Sequence, residues 1–324
     1  MLRRLVIASS FIFIALLTQW LSPVDAIEFP LAKAPAQVYS NQLGDDLHLL
    51  FCEAFADAKR SIYLEMYAIT DPTVLSILKS KSLHGTNLEV IADTKASPAL
   101  IKKLGTEAHV QLYTGKHLMH RKVVVIDDEL VLLGSANFTK ASLKMHDNLV
   151  IAIRDQELGT FLEHSDSPSI YHREPISIWK LPEAGQEALE ATCAALRSAQ
   201  KTIRVAMFTF THFKIAEELA HAKERGIDVQ VALDHYTAEG SSKKICTFLI
   251  SRGVPVFISQ GKQLLHHKWA LIDGTTLLTG STNWTQSAYK RNKDISIKLF
   301  PIDEIQRVKI EKIWKVIQLE ATEH

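Results

Sequence analysis

The residues that could do chemistry in this chain come as a set, and the set occurs twice. His120 and Lys122 precede four apolar residues and Asp127. His266, Lys268, four apolar residues and Asp273 repeat the pattern 146 residues later. The same offset joins Gly134-Ser135-Ala136-Asn137 to Gly280-Ser281-Thr282-Asn283, and Thr139 to Thr285. A single histidine beside a lysine is usually surface, but two such pairs with fixed companions ask for another reason. Together they supply two imidazoles, two ammoniums and two carboxamides, a set suited to attack on a phosphate diester. Neutral imidazole is a nucleophile near neutral pH, and a second, protonated imidazole can give a leaving alkoxide its proton. Lys122 and Lys268 would neutralise the non-bridging oxygens. Asn137 and Asn283 would donate to the phosphate, and Ser135 and Ser281 would either do the same or satisfy local backbone groups. Phosphoryl transfer rests mainly on positioning and electrostatics, and the lysines can fill the cation role, so neither a metal nor a cofactor is expected. His117, His120, His266 and His267 have no carboxylate or cysteine at ligand spacing beside them.

These residues need elements to carry them, and the elements repeat too. Upstream of the motifs the offset is 141: residues 61–67 match 202–208, Gly85 matches Gly226, Asp93 matches Asp234 and Cys52 matches Cys193. Five extra residues therefore enter the second half between Asp234 and His266, since 146 − 141 = 5. Two domain-sized copies indicate a duplicated domain. Short strands are expected at 37–39 and 176–179, and helices at 46–58 and 186–199. Strands near 62–67 and 203–208 lead to helices near 72–81 and 213–225, which stop at Gly85 and Gly226. Apolar, β-branched runs follow at 88–92 and 229–233, 123–126 and 269–272, and 131–133 and 276–278. The fold class is α/β: two tandem homologous sandwich domains with mixed sheets, related by a pseudo-two-fold, with the site at their interface. The expected division is residues 1–26, 27–170 and 171–324, with the join between His164 and Pro175. Residues 240–244 and 260–263 are the expected flexible segments near the site. Gly134 and Gly280 follow strands and allow a tight backbone approach.

H-x-K-x4-D followed by G-S-x-N, present twice, resembles the phospholipase D superfamily over essentially the whole chain after residue 26. The motif Gly134-Ser-Ala-Asn-Phe-Thr-Lys-Ala-Ser142 is similar to the branch of bacterial endonucleases and a mitochondrial cardiolipin hydrolase. The resemblance implies a covalent phosphohistidine: His120 attacks phosphorus, and His266 protonates the leaving group and then activates water. Lys122, Lys268, Asn137 and Asn283 would hold the phosphate, while Asp127 and Asp273 complete the catalytic motif by bracing its strand and turn. Eleven residues after each motif asparagine the family usually carries a carboxylate that orients the histidine. Here that position is Asn148 in the first half and Asp294 in the second. A neutral Asn148 predicts a His120 less basic than His266, in keeping with His120 as nucleophile and His266 as acid.

The chain has 324 residues with 37 Lys plus Arg and 36 Asp plus Glu, a net charge of +1. Such composition excludes disorder and a generally polycationic protein, though not a local basic site. Arg3 and Arg4 ahead of the apolar run 5–21, with Ala26 at a cleavage position, read as an export signal, or as an anchor if retained. The protein is thus expected in the periplasm or outside the cell. Three cysteines cannot build a disulfide framework; buried packing is the default for Cys52 and Cys193, and a bridge between halves the alternative. The expected function is hydrolysis of phospholipid head-group diesters at a membrane surface, by a monomer that is an internal pseudo-dimer. The alternatives are an exported endonuclease with nucleic acid as substrate, and a phosphate-binding module without turnover.

Overall fold

The two motif strands, Lys122–Ile126 and Lys268–Ile272, are buried at every position. Their unbroken apolar sequence follows from that, because both faces of the sheet are covered. The computed structural model describes residues 27–164, 168–260 and 263–324. The export-signal run lies outside the described residues, as do three residues of the expected join. No helix among the described residues is long and apolar enough to cross a membrane.

The first half contributes β1 (Gln37–Tyr39), β2 (Ser61–Met66), β3 (Asn87–Asp93), β4 (His109–Tyr113), β5 (Lys122–Ile126), β6 (Leu130–Gly134) and β7 (Val150–Arg154). They form one mixed sheet in the order β1-β7-β6-β5-β2-β3-β4. Strands β2, β3 and β4 run parallel, and β5 lies antiparallel to β2. The second half contributes β8 (Ile170–Arg173), β9 (Ile176–Lys180), β10 (Thr202–Met207), β11 (Asp228–Leu233), β12 (Val256–Ser259), β13 (Lys268–Ile272), β14 (Thr276–Gly280), β15 (Ile295–Leu299) and β16 (Ala321–Glu323). Its order is β16-β12-β11-β10-β13-β14-β15-β9-β8, so the central arrangement of the first sheet recurs with extra strands at both edges. The expected helices form at Leu47–Asp57, Pro72–Leu83, Gly185–Ser198 and Phe213–Glu224. Gly85 and Gly226, just beyond the two that follow β2 and β10, have φ of 92° and 86°. That left-handed conformation is one that glycine enters without a Cβ penalty.

Three apolar cores hold this together. Val124 and Ile126 of β5 face an outer core under the first-half helices, and Ala270 and Ile272 of β13 do the same in the second half. The alternate residues, Val123, Val125, Trp269 and Leu271, meet in a central core between the two sheets. The period-2 alternation of a strand thus splits each motif strand between its own domain and the seam. The helix Glu304–Leu319, which the sequence pattern had not called for, seals that seam with Ile310, Ile313, Trp314 and Ile317.

Two expectations change here. The extra residues of the second half do not make a loose loop. They are taken up by helices His235–Glu239 and Lys243–Ser251, where the first half has Leu100–Leu104. The turn at 240–244 is pinned, because the buried Ser242 accepts a hydrogen bond from the Phe210 amide at 2.9 Å. Part of 260–263 lies outside the described residues. Cys52, Cys193 and Cys246 are buried and free. Cys52 and Cys193 sit in opposite outer cores, so no bridge joins the halves through them.

Candidate active site

Strand β5 is fixed at both ends before any catalytic side chain is considered. At its far end Asp127 has φ 52° and accepts from the amides of Lys59, Arg60 and Ser61 at 2.6–3.1 Å. Asp273, with φ 50°, does the same with Gln200, Lys201 and Thr202 at 2.8–2.9 Å. Burial would raise these carboxyls, but the converging amides win and hold both below the ordinary range. The third motif residue is therefore a backbone clamp at the end of the strand remote from the histidine. At the near end, Asp93 accepts from the Met119 amide and Asp234 from the Leu265 amide, both at 3.3 Å. Gly134 and Gly280 are required by close approach: an added Cβ would lie 2.1 Å from the Leu149 oxygen and 2.3 Å from the Ile295 oxygen. That approach lets Ser135 and Ser281 reach the residues that orient the histidines.

The orienting residues cross over. The Nδ1 of His120 lies 2.7 Å from Oδ1 of Asp294, and the Nδ1 of His266 lies 2.9 Å from Oδ1 of Asn148. Pairing within each half, as the sequence reading assumed, is corrected. The cause is backbone pairing across the seam. The His120 amide donates to the Lys293 carbonyl at 2.7 Å, and the Lys293 amide to Leu118. The Asp147 amide donates to Leu264. The residues ahead of each histidine thus run beside those ahead of the other half's orienting residue. The basicity inference reverses with it: the carboxylate stands behind His120, and the neutral amide behind His266. The Asn148 amide is oriented by its surroundings, since Nδ2 donates to the Ser142 and His146 carbonyls and leaves Oδ1 for Ser135 and His266. With Oδ1 as acceptor, His266 carries its proton on Nδ1 and its Nε2 is free. The Asp294 carboxylate selects the same tautomer for His120.

The electrostatics follow from burial. Burial lowers His120 below the ordinary imidazole value, and Lys122 adds to this against the pull of Asp294. Burial, then Lys268, Lys122 and His120, push His266 well below it. Lys122 is pushed down to about 7 by burial, with Asp294 opposing. Lys268 falls further, because Lys122 repels it as well. Burial would raise Asp294, yet His120, Lys122 and the Ser281 hydroxyl keep it below the usual carboxylate range. Two imidazoles and two ammoniums that repel one another in a buried space form a site waiting for an anion.

The structure distributes the remaining candidates unevenly. Each lysine Nζ donates to the carbonyl of its own motif histidine, at 2.6 Å for Lys122 and 2.9 Å for Lys268, leaving further protons for a ligand. Asn283 Oδ1 accepts from the Thr209 amide at 3.3 Å, and Nδ2 of Asn137 and of Asn283 donates to no group among the described residues. The serines serve local backbone groups and the orienting residues. Ser135 and Ser281 spend their one proton on Asn148 and Asp294, at 2.8 and 2.7 Å, and accept from the Leu149 and Ile295 amides. They support the histidine-orienting pair and have no proton left for a phosphate. Tyr67 and Phe208 flank His120 and His266 at 5.4 and 4.9 Å between ring centroids, with Lys122 and Lys268 over their faces.

Sequence reasoning missed the middle residue of each H-x-K. Arg121 alternates away from the site, binds Glu65 through both carboxylate oxygens at 3.1 Å, and donates to the Leu181 and Asp294 carbonyls. It ties the two halves together at the backbone of the very residue that orients His120. His267, in the matching place, meets Gln42 of the first half at 2.9 Å. A buried arginine between a histidine and a lysine was the available signal. His146 was also missed; its ring lies 5.9 Å from that of His266.

The family described as "Cardiolipin synthase, PLD-like domain" matches the chain over residues 51–165 and again over 192–311. The mitochondrial cardiolipin hydrolase of Xenopus laevis is 36% identical over 99 residues, 31% of this chain and 47% of that protein. A phospholipase D of Rickettsia typhi is 30% identical over 106 residues, 32% of this chain and 52% of that one. The chain spans about half the length of the curated relatives it matches. Among solved structures, phosphatidylserine synthase of Haemophilus influenzae Rd KW20 shares the fold, with a TM-score of 0.72 at 14% identity over 92% of this chain and 89% of that one.

Proposed function

The chain belongs to the PLD-like family, and from that premise we propose that it is a phosphodiesterase that hydrolyses phospholipid head-group diesters through a phosphohistidine on His120. The observation that carries the mechanism is the crossed pair of orienting residues. A carboxylate behind the attacking imidazole stabilises the cation that forms when Nε2 bonds to phosphorus. A neutral amide behind the other leaves its proton easy to give up once an anionic diester has drawn it into the imidazolium form.

In the first step Nε2 of His120 bonds to phosphorus, the bond to the head-group oxygen breaks, and His266 passes its Nε2 proton to that oxygen. In the second step His266 takes a proton from water as the water oxygen bonds to phosphorus. The phosphorus–nitrogen bond breaks, a phosphate monoester leaves, and both imidazoles are restored. Lys122, Lys268, Asn137 and Asn283 hold the non-bridging oxygens throughout. Asp127 and Asp273 act by holding the motif strands, and Ser135 and Ser281 by holding Asn148 and Asp294. Lipid as substrate is supported by the cardiolipin hydrolase and phospholipase D relatives. We further propose that the halves divide as residues 27–170 and 171–324, that one chain carries a complete site and works as a monomer, and that the N-terminal run of residues 1–26 directs export.

The test is a competition in excess EDTA, with phospholipid vesicles and single-stranded DNA in one tube and both products quantified. Head-group release that disappears in a His120→Asn, His266→Asn double variant is expected. DNA cleavage with intact lipid would replace the proposal with a nuclease, and binding of phosphodiesters without turnover of either would replace it with a phosphate-binding module.

A further inference from the structure

The segments that border the two histidines differ in composition from the rest of the chain. The whole sequence balances 37 cations against 36 anions, yet residues 114–118, 139–146 and 286–293 together carry six Lys or Arg and no Asp or Glu. They lie at one mouth. The Leu118 carbonyl accepts from Lys293, and its amide meets Asn292 Oδ1 at 3.4 Å, which joins the first and third segments two residues from His120. The second segment ends at His146, whose ring stands 5.9 Å from that of His266. Lys116, Lys144, Lys290 and Arg291 of these segments are exposed. So are two large aliphatic side chains, Leu118 at 42% and Met145 at 55% exposure. Lys144 and Lys290 are pseudo-symmetry mates, as are Met145 and Arg291, by the 146-residue offset. Each half thus contributes to these rim segments, with a lysine at the matching place in both.

We propose that this rim seats the protein on an anionic phospholipid surface, with Leu118 and Met145 entering the acyl boundary and the four basic residues lying at the headgroups. The inference rests on the lipid reading of the site and names the surface from which the substrate is drawn. Basic residues near an anionic bilayer add to its attraction while apolar side chains add buried area. Both kinds of group occur here side by side. A nucleic acid would use the charges, but single strands are commonly gripped by stacking bases on aromatic rings, and the two exposed large hydrophobic side chains of these segments are aliphatic. Seating both histidines at the bilayer would also spare a head-group diester a long excursion into water.

The experiment uses the His120→Asn protein, which cannot consume the surface, in sedimentation with phosphatidylcholine vesicles containing none or 30 mol% phosphatidylglycerol. A concentration is chosen within the sensitive range for both, on the order of the Kd found. Binding to the anionic vesicles alone, lost at high salt, is expected. Adding Lys144→Glu and Arg291→Glu should weaken it by more than about thirtyfold, at roughly fivefold for each basic residue near the surface. Leu118→Ser with Met145→Ser should weaken it by about tenfold or more. With His120 restored, the same rim variants should hydrolyse soluble bis(p-nitrophenyl) phosphate at the unaltered rate. Equal binding to both vesicle types, or anionic binding that no rim variant changes, would overturn the proposal. So would capture of single-stranded DNA by the rim in place of vesicles. If vesicles bind through the rim but their lipid is not cleaved, the rim stands and the substrate assignment falls.

Discussion

At the place that backs the opposite histidine, the first half of the molecule carries Asn148 and the second carries Asp294. Around these two residues the halves are nearly alike. A serine reaches each from a glycine-permitted turn, a carboxylate clamps the far end of each motif strand, and an aromatic ring flanks each imidazole. The difference of one oxygen against one NH2 separates the histidines chemically. His120 faces a charge that favours its cationic form. His266 faces a dipole and four neighbouring basic groups, Lys268, Lys122, His120 and His146, that oppose it. On the proposed mechanism, a substitution at one position divides the labour of a duplicated cleft.

The largest effect expected is at the histidines themselves. His120→Asn should abolish turnover of every diester. His266→Asn should lose roughly 10²–10⁴-fold with alkyl leaving groups, but much less with p-nitrophenol, which leaves without a proton, and phosphoenzyme should then accumulate. Mass spectrometry of the quenched enzyme locates the phosphate; finding it on His266 would invert the assignment of the two halves.

Next comes the orienting pair. Asp294→Asn removes the charge behind the proposed nucleophile and should lower kcat by on the order of 10⁴-fold, as loss of a carboxylate behind a catalytic imidazole does elsewhere. Asn148→Asp should instead move the alkaline limb of the kcat–pH profile upward by about one unit. The acid must be protonated to work, so activity is lost as pH rises through its pKa, and a carboxylate that raises this pKa extends activity to higher pH. A profile unmoved by Asn148→Asp would mean that His266 is not the acid.

The clamps should fall alike in the two halves. Asp127→Ala and Asp273→Ala each leave three amides to find water and should cost about 2 kcal/mol of stability by urea unfolding. A much larger loss in one would show that the halves do not depend equally on their motif turns.

The last effect is one of pH dependence and belongs to Lys122, pushed down to about 7 by burial. In the unfolded chain a lysine titrates near about 10.4. Between these values the unfolded state binds more protons, so the stability cost of this lysine is full below about pH 7 and shrinks as pH rises towards 10. The stability difference between Lys122→Met and wild type should therefore narrow from pH 7 to 9.5 in calorimetry. An oxyanion such as tungstate, which restores the ammonium, should bind more weakly over the same interval.

Most of the architecture was legible in the sequence because local rules produce it. Strands β5 and β13 announce themselves as apolar runs, and helices stop at glycines that take positive φ. A second copy at a constant offset doubles every such signal. The helix 304–319 was not read, although its first turns fall opposite the first half's helix Gln156–Glu163 at that offset; its later turns, which seal the seam, have no counterpart there. The site residues were legible for the same reason of repetition, but their roles were not all so. Ser135 and Ser281 stood open between phosphate and local backbone groups until their protons were seen to be committed to Asn148 and Asp294. Arg121 drew no attention in the sequence, though it anchors one half to the backbone of the other.

What the sequence determined by itself was the inventory: two imidazoles, two ammoniums, one carboxylate and one carboxamide at matching positions, on strands whose alternation splits them between two faces. Which histidine meets which partner was decided only by the tertiary structure. Spacing along a chain reports neighbours within a domain, whereas the pairing here is made across a seam, where the segment ahead of His120 hydrogen-bonds to the segment ahead of Asp294. Burial then converts that pairing into chemistry, because in a desolvated cleft a single carboxylate sets apart two imidazoles whose surroundings are otherwise similar.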